Sequence, residues 1–213
     1  MENYFFNFED FETEIQRKLN SQSVEIKFLF KQFSDRLINN INFNIDEVNS
    51  LFDELTKLPF NKIYKNYLSH HIRVADSLQF IKKERNHEDI NFALCHNIIE
   101  NGFMGKLEKN YLNKDQIRKI NILTIDRKRE REKKYLNEYY NKIENYSEEL
   151  ILFKSLDKLD NTLLGTVFHF DVDHIYVIKN EVYPRIKQYN STIAYYLNDL
   201  VDYVTKNKKI NNK

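Results

Sequence analysis

Apolar positions recur along this chain every three or four residues, in long runs with few breakers between them. That spacing predicts amphipathic helices. Phe8, Phe11, Ile15 and Leu19 would line one face of a first helix within residues 3–20. Val24, Phe28, Leu29, Phe33 and Leu37 would line a second over 22–40. Asn44-Ile45-Asp46-Glu47 supplies capping residues for a third, which Leu58-Pro59-Phe60 ends. These first sixty residues hold no motif and read as a helical cap on the domain that follows, an interaction surface being the alternative.

From about Tyr64 to Lys83 the pattern continues as a helix in which His70 shares a line with Val74, Leu78 and Ile81, so it points toward the core. His71 and Arg73 diverge from that line by about 100° and 300° and need not share its environment. Arg85-Asn86-His87-Glu88-Asp89 is a polar turn in which His87 is a turn or cap residue. The next helix, about 89–101, would set Ala93, His96, Asn97 and Glu100 on one face and end at Gly102. A short helix follows from Lys114 to Ile122. Arg127 to Lys134 is the densest charge run and reads as a solvated face. Ser147 would cap a helix to about Leu164, whose stripe of Leu150, Phe153, Asp157, Asp160/Asn161 and Leu164 mixes polar groups into an apolar face. His169-Phe170-Asp171-Val172-Asp173-His174 reads as a loop whose Asp171 and Asp173 cap a last long helix over about 174–206, kinked at Pro184. Residues 206–213 form a polar tail.

Composition agrees with this picture and narrows the chemistry. Three Gly and two Pro are too few for the tight turns of an all-β protein, and no Gly-rich phosphate loop is present. The expected fold is all-α. Basic and acidic residues nearly cancel, 33 against 32, so no global field draws the chain to nucleic acid. Cys95 is the only cysteine, which excludes an internal disulfide framework and a Cys-rich zinc module. The first residues carry acids and no basic stretch before an apolar run, and no window of about 18 apolar residues spans a bilayer. A cytoplasmic protein is expected, with no membrane partner and with a protein partner or homo-oligomer open.

Three strings carry more specific information. Tyr67-Leu68-Ser69-His70-His71-Ile72-Arg73-Val74-Ala75 resembles the "YIxHPxxVA" string of the guanosine alarmone hydrolases, within the HD phosphohydrolase superfamily. His96-Asn97-Ile98-Ile99-Glu100-Asn101 resembles their HDxxED motif, with Asn97 and Asn101 where the family has acids. Lys154-Ser155-Leu156-Asp157-Lys158-Leu159-Asp160-Asn161 resembles their "KLADKLYN" or "KLADRLHN" string. The resemblance covers about residues 60–205 with the motifs in the family's order.

It implies an HD-type helical bundle over 61–205, preceded by a helical extension over 1–60. It further implies that His70, His96, Asn97 and Asp157 hold a divalent metal, manganese foremost, with magnesium, iron(II) or zinc as alternatives. Glu100 and Asn101 would position or deprotonate the attacking water, while Lys154, Asn161 and Arg73 would meet the substrate. The implied reaction is metal-assisted removal of pyrophosphate from the 3′ position of a guanosine tetra- or pentaphosphate, or hydrolysis of a related nucleotide phosphoester. The two acid-to-amide changes suggest an alternative: a catalytically impaired HD-fold module that binds a nucleotide or protein partner.

Overall fold

The structure, a computed structural model, describes residues 4–37, 44–59, 67–82, 86–165 and 171–211, and among these every regular element is a helix. The chain divides into two compact units, each described by itself: Met1–Asn7 with Arg17–Thr124, and Phe8–Gln16 with Ile125–Lys213. The first helix, α1 (Phe11–Ser23), begins in one and ends in the other. Residues 60–66, where the expected extension meets the expected HD domain, lie outside the described residues. No helix of the described residues is long and apolar enough to cross a membrane.

The first unit is built on α2 (Ile26–Leu37), α3 (Ile45–Lys57), α4 (Tyr67–Ile81), α5 (His87–Cys95), α6 (Met104–Tyr111) and α7 (Lys114–Leu123). From His71 to Gln79 every residue of α4 is buried, so it is the central helix rather than an amphipathic surface one. Helices α2 and α5 pack on α4, and α3 and α7 pack on α5. The rings of Phe30 and Phe52 stack at 3.6 Å between centroids, beside the fully buried Leu29, Phe33 and Leu51. Helix starts follow the sequence. Asn44 accepts from the Glu47 N–H at 3.3 Å, Asn86 from Asp89 at 2.8 Å, and Asn113 forms a reciprocal capping box with Gln116. His87 accordingly opens α5 as its first residue, with the Glu47 carboxylate 3.5 Å away.

Two expectations about the N-terminal region change. Helix α1 starts only at Phe11, because Phe8 has a left-handed backbone (φ 54°) and Asp10 accepts from the Thr13 N–H. Its most buried residues are Glu14, Lys18 and Ser21, whereas Phe11, Ile15 and Leu19 are half-buried. The polar face is taken up by hydrogen bonds: Ser21 Oγ donates to the Lys18 carbonyl and accepts from Arg73. In α2, Phe28 lies exposed and Phe30 takes the buried place.

The second unit holds α8 (Lys133–Tyr146), α9 (Glu148–Leu163), α10 (Val172–Tyr176), a π-helical segment (Val177–Val182), α11 (Tyr183–Tyr189) and α12 (Ser191–Asn211). Helix α9 packs against α8, α11 and α12 through Leu150, Phe153, Leu156 and Leu159. Ser147 caps α9 by accepting from the Leu150 N–H at 3.1 Å, as its sequence position suggests. Asp171 caps α10, accepting from His174 at 2.9 Å. Asp173 does not cap. It pairs with Arg131 at 3.4 Å. His169 and Phe170 fall outside the described residues.

The single long helix expected over 174–206 is four successive elements, α10, the π-helical segment, α11 and α12. Pro184 has no N–H for an α-helical bond, and the turn before it widens so that the Tyr183 N–H reaches the Ile178 carbonyl. At Asn190 the backbone leaves the helix (φ −148°, ψ 89°) and the side chain accepts from Ile193, starting α12, which runs on to Asn211 past the expected tail boundary. Within the basic run, Arg127 pairs with Glu130 and Arg129 with Glu132.

Candidate functional site

Each unit presents part of the residue set singled out in the sequence. In the first unit α4 delivers His70 and His71, and the end of α5 delivers His96. The three imidazoles form a cluster, with ring centroids 5.2 Å apart for His70–His96, 4.6 Å for His71–His96 and 5.7 Å for His70–His71. Nitrogens of His70 and His96 lie within 4.8 Å of each other, close enough for both to reach one ion.

The hydrogen bonds around the rings fix their tautomers. His96 Nδ1 lies 2.7 Å from the Ala93 carbonyl and His71 Nδ1 lies 2.7 Å from the Leu94 carbonyl. A carbonyl only accepts, so each Nδ1 carries the proton, and in a neutral ring the Nε2 lone pair is left as the donor to a metal. Imidazole nitrogens with backbone-anchored Nδ1 groups are the chemistry a first-row divalent ion needs, and the residues present fit one.

His71 was not legible as a member of this group. Helical rotation separates it from His70 by about 100°, which would matter on a helix with one buried face. From His71 to Gln79 α4 is buried on every side, so the direction of His71 also meets neighbours. Tyr67 packs edge-on against His71 at 4.9 Å and completes the aromatic wall.

The segment from His96 to Gly102 departs from expectation. Helix α5 ends at Cys95, and 96–102 continue as tight turns, so Ala93, His96, Asn97 and Glu100 do not share one regular helical face. The Ile98 N–H bonds to the Cys95 carbonyl three residues back. The segment closes with Phe103 N–H to Ile98 O and Gly102 N–H to Ile99 O around Gly102 at φ 73°, a Schellman arrangement.

Asn101 holds this turn, its amide donating to the Asn97 carbonyl at 2.7 Å and to the Tyr67 hydroxyl at 3.3 Å. An ionised aspartate could make neither as donor, so the amide in place of the family's second acid has a local use. Asn97 and Glu100 are half-buried beside it.

Arg73 is buried at 4 % exposure, and its guanidinium donates to Ser21 and Ser69 hydroxyls at 3.0 Å each. With the Gln22 amide turned so that its oxygen faces the guanidinium, that oxygen accepts at 2.9 Å. Arg73 thus ties α1 to α4. Cys95 is fully buried, which pushes its thiol pKa well up.

In the second unit, one face of α9 carries Lys154, Asp157 and Asn161. Lys154 Nζ lies 2.8 Å from Asp157 Oδ2, and the Asn161 amide donates to Oδ1 at 3.0 Å. Both members of the ion pair are buried, at 7 % and 4 % exposure. Burial works to lower the Lys154 pKa, but the Asp157 carboxylate and the Tyr139 and Tyr140 rings outweigh it and hold the ammonium above the ordinary lysine range. Lys154 is therefore charged at neutral pH.

Comparison of the chain with protein families, with characterised proteins and with solved structures finds no match.

Proposed function

We propose that this chain is a metal-dependent phosphohydrolase of nucleotide phosphoesters, with a guanosine 3′-pyrophosphate as the first substrate to test. The observation that carries the reading is the His70–His96 pair, its nitrogens within 4.8 Å of each other and His96 anchored at Nδ1. The motif order in the sequence supplies the rest: Asn97 as a neutral oxygen donor and Asp157 as the last ligand. A bound divalent ion would polarise a phosphoryl oxygen and acidify a water. Glu100 is the titratable group beside the ligands in sequence and takes the proton from the attacking water. Lys154 and Asn161 hold the Asp157 carboxylate in orientation and face the substrate phosphates.

The purified full chain with Mn²⁺ should release pyrophosphate or phosphate from such a nucleotide. His96→Ala and Asp157→Asn should each lower the rate by about a thousandfold while leaving the helical circular dichroism intact. Unchanged turnover in both variants would sink the assignment.

A second reading is supported by the Lys154–Asp157 ion pair together with Asn97. A carboxylate already matched by an internal ammonium suits a metal-free module that binds a nucleotide or a protein. That reading expects no metal after purification without chelator, and no turnover across a phosphoester panel.

A further inference from the structure

His70 lies on α4 and His96 follows the last residue of α5, so their spacing depends on how the end of α5 is held against α4. Two nitrogens each about 2.1 Å from one tetrahedral ion stand about 3.4 Å apart, and a slip of about 1 Å between the helices decides whether both reach it. In a continuing helix the Ala93 and Leu94 carbonyls would accept from the N–H groups of Asn97 and Ile98. Helix α5 stops at Cys95, and the Ile98 N–H turns to the Cys95 carbonyl at 2.9 Å. Imidazoles take the two carbonyls over, His96 Nδ1 that of Ala93 and His71 Nδ1 that of Leu94, each at 2.7 Å. The first bond anchors a proposed ligand to its own helix. The second crosses from α4 to α5, from the residue after His70 to the carbonyl two residues before His96. The buried His71 ring also packs 4.6 Å from that of His96. A second tie closes the frame beyond His96, where the Asn101 amide donates to the hydroxyl of Tyr67, three residues before His70, at 3.3 Å.

Resting on the metal reading of the His70–His96 pair, we propose that His71 is a positioning residue for it. His71 is not a ligand. Through its Nδ1 bond to the Leu94 carbonyl it fixes the spacing of His70 and His96, and so sets the affinity for a divalent ion. Tyr67 supports the same spacing more weakly, through the longer bond. Every residue of this frame belongs to the first unit. A buried histidine that only filled the core could give way to another ring without consequence for the ion. One that holds the spacing could not.

The test is Mn²⁺ binding to the full chain, read from the electron paramagnetic resonance of the free ion, beside urea unfolding of the metal-free protein. His71→Phe keeps a ring in place and loses the bond. It should weaken Mn²⁺ binding by about tenfold or more, as the loss of a partner that orients metal ligands does. His71→Asn puts an amide nitrogen where Nδ1 stands and restores a donor to Leu94. It should bind Mn²⁺ within about threefold of the wild type, although it fills less of the core and unfolds at lower urea. Affinity would then follow the hydrogen bond and stability the packed volume. Should His71→Phe not fold, Tyr67→Phe, which loses only the hydroxyl, carries the test with an expected weakening of about threefold. Unchanged affinity in the Phe variant that folds, or a loss in His71→Asn as large as in His71→Phe, would overturn the positioning role and leave the metal reading standing. No Mn²⁺ binding by the wild type would overturn both.

Discussion

The buried polar groups described in the first unit are mostly hydroxyls, amides and imidazoles, Ser69, Gln79, Asn91, His71 and His96 among them, whereas the second buries whole ion pairs. In the second, Lys154 with Asp157 and Arg185 with Glu181 have side-chain exposures of 9 % and 5 %, and 9 % and 3 %. The Arg185 guanidinium also donates to Asn141 and lies 3.3 Å from Glu144. An ion pair to a buried carboxylate in the first unit, Arg36–Asp76, keeps its cation 41 % exposed. Neutral imidazoles suit metal ligation because they need no counter-ion. Carboxylates inside a helical core need one, and the second unit supplies it from close by in the chain, Lys154 three residues before Asp157 and Arg185 four residues after Glu181.

The contrast is open to direct attack. Glu181→Ala leaves Arg185 buried without its main carboxylate and should cost about 3–5 kcal/mol in urea unfolding. A loss below 1 kcal/mol would mean that Asn141 and Glu144 suffice. Phe52→Ala removes half of the stacked pair with Phe30 and should cost about 3–4 kcal/mol, showing that the first unit rests on apolar packing. Arg36→Ala removes a half-exposed partner from the buried Asp76 and should cost less than Glu181→Ala, about 2 kcal/mol. A cost as large as that of Glu181→Ala would erase the distinction between the units. The smallest effect is expected at Cys95, whose buried thiol should resist a disulfide exchange reagent in the native protein and react fully in urea. Rapid native labelling would show that the end of α5 opens.

What could be read from sequence was whatever local chemistry decides. The caps at Asn44 and Ser147 and the interior direction of Asp157 follow from side-chain type and helical spacing, whereas His70, expected to point inward, is only half-buried and its neighbour His71 is the one fully enclosed. The reading failed where side chains compete with the backbone or where burial is total. Asn101 and Gly102 turn the His96 segment out of regular helix, Asn190 and Pro184 interrupt the last helix, and His71 joins the imidazole cluster because α4 is buried on every side from His71 to Gln79. In α1 the apolar stripe misled, because Ser21 is drawn inward by Arg73, 52 residues further along the chain. No window of local sequence contains that partner.

The second unit is discontinuous in the chain, and this bears on how it is made. Its opening segment packs Phe8 and Phe11 edge-on against Tyr196, and the Tyr196 hydroxyl donates to the Glu9 carbonyl across 187 residues. At ribosomal rates of about 5–20 residues per second, those aromatic rings emerge roughly 10–40 s before their partner exists. Nearly every helix of the first unit is synthesised in that interval. The nascent chain therefore carries these aromatic rings without their Tyr196 partner while the intervening residues are made, and a chaperone that shields exposed aromatic segments would have a long window of action there.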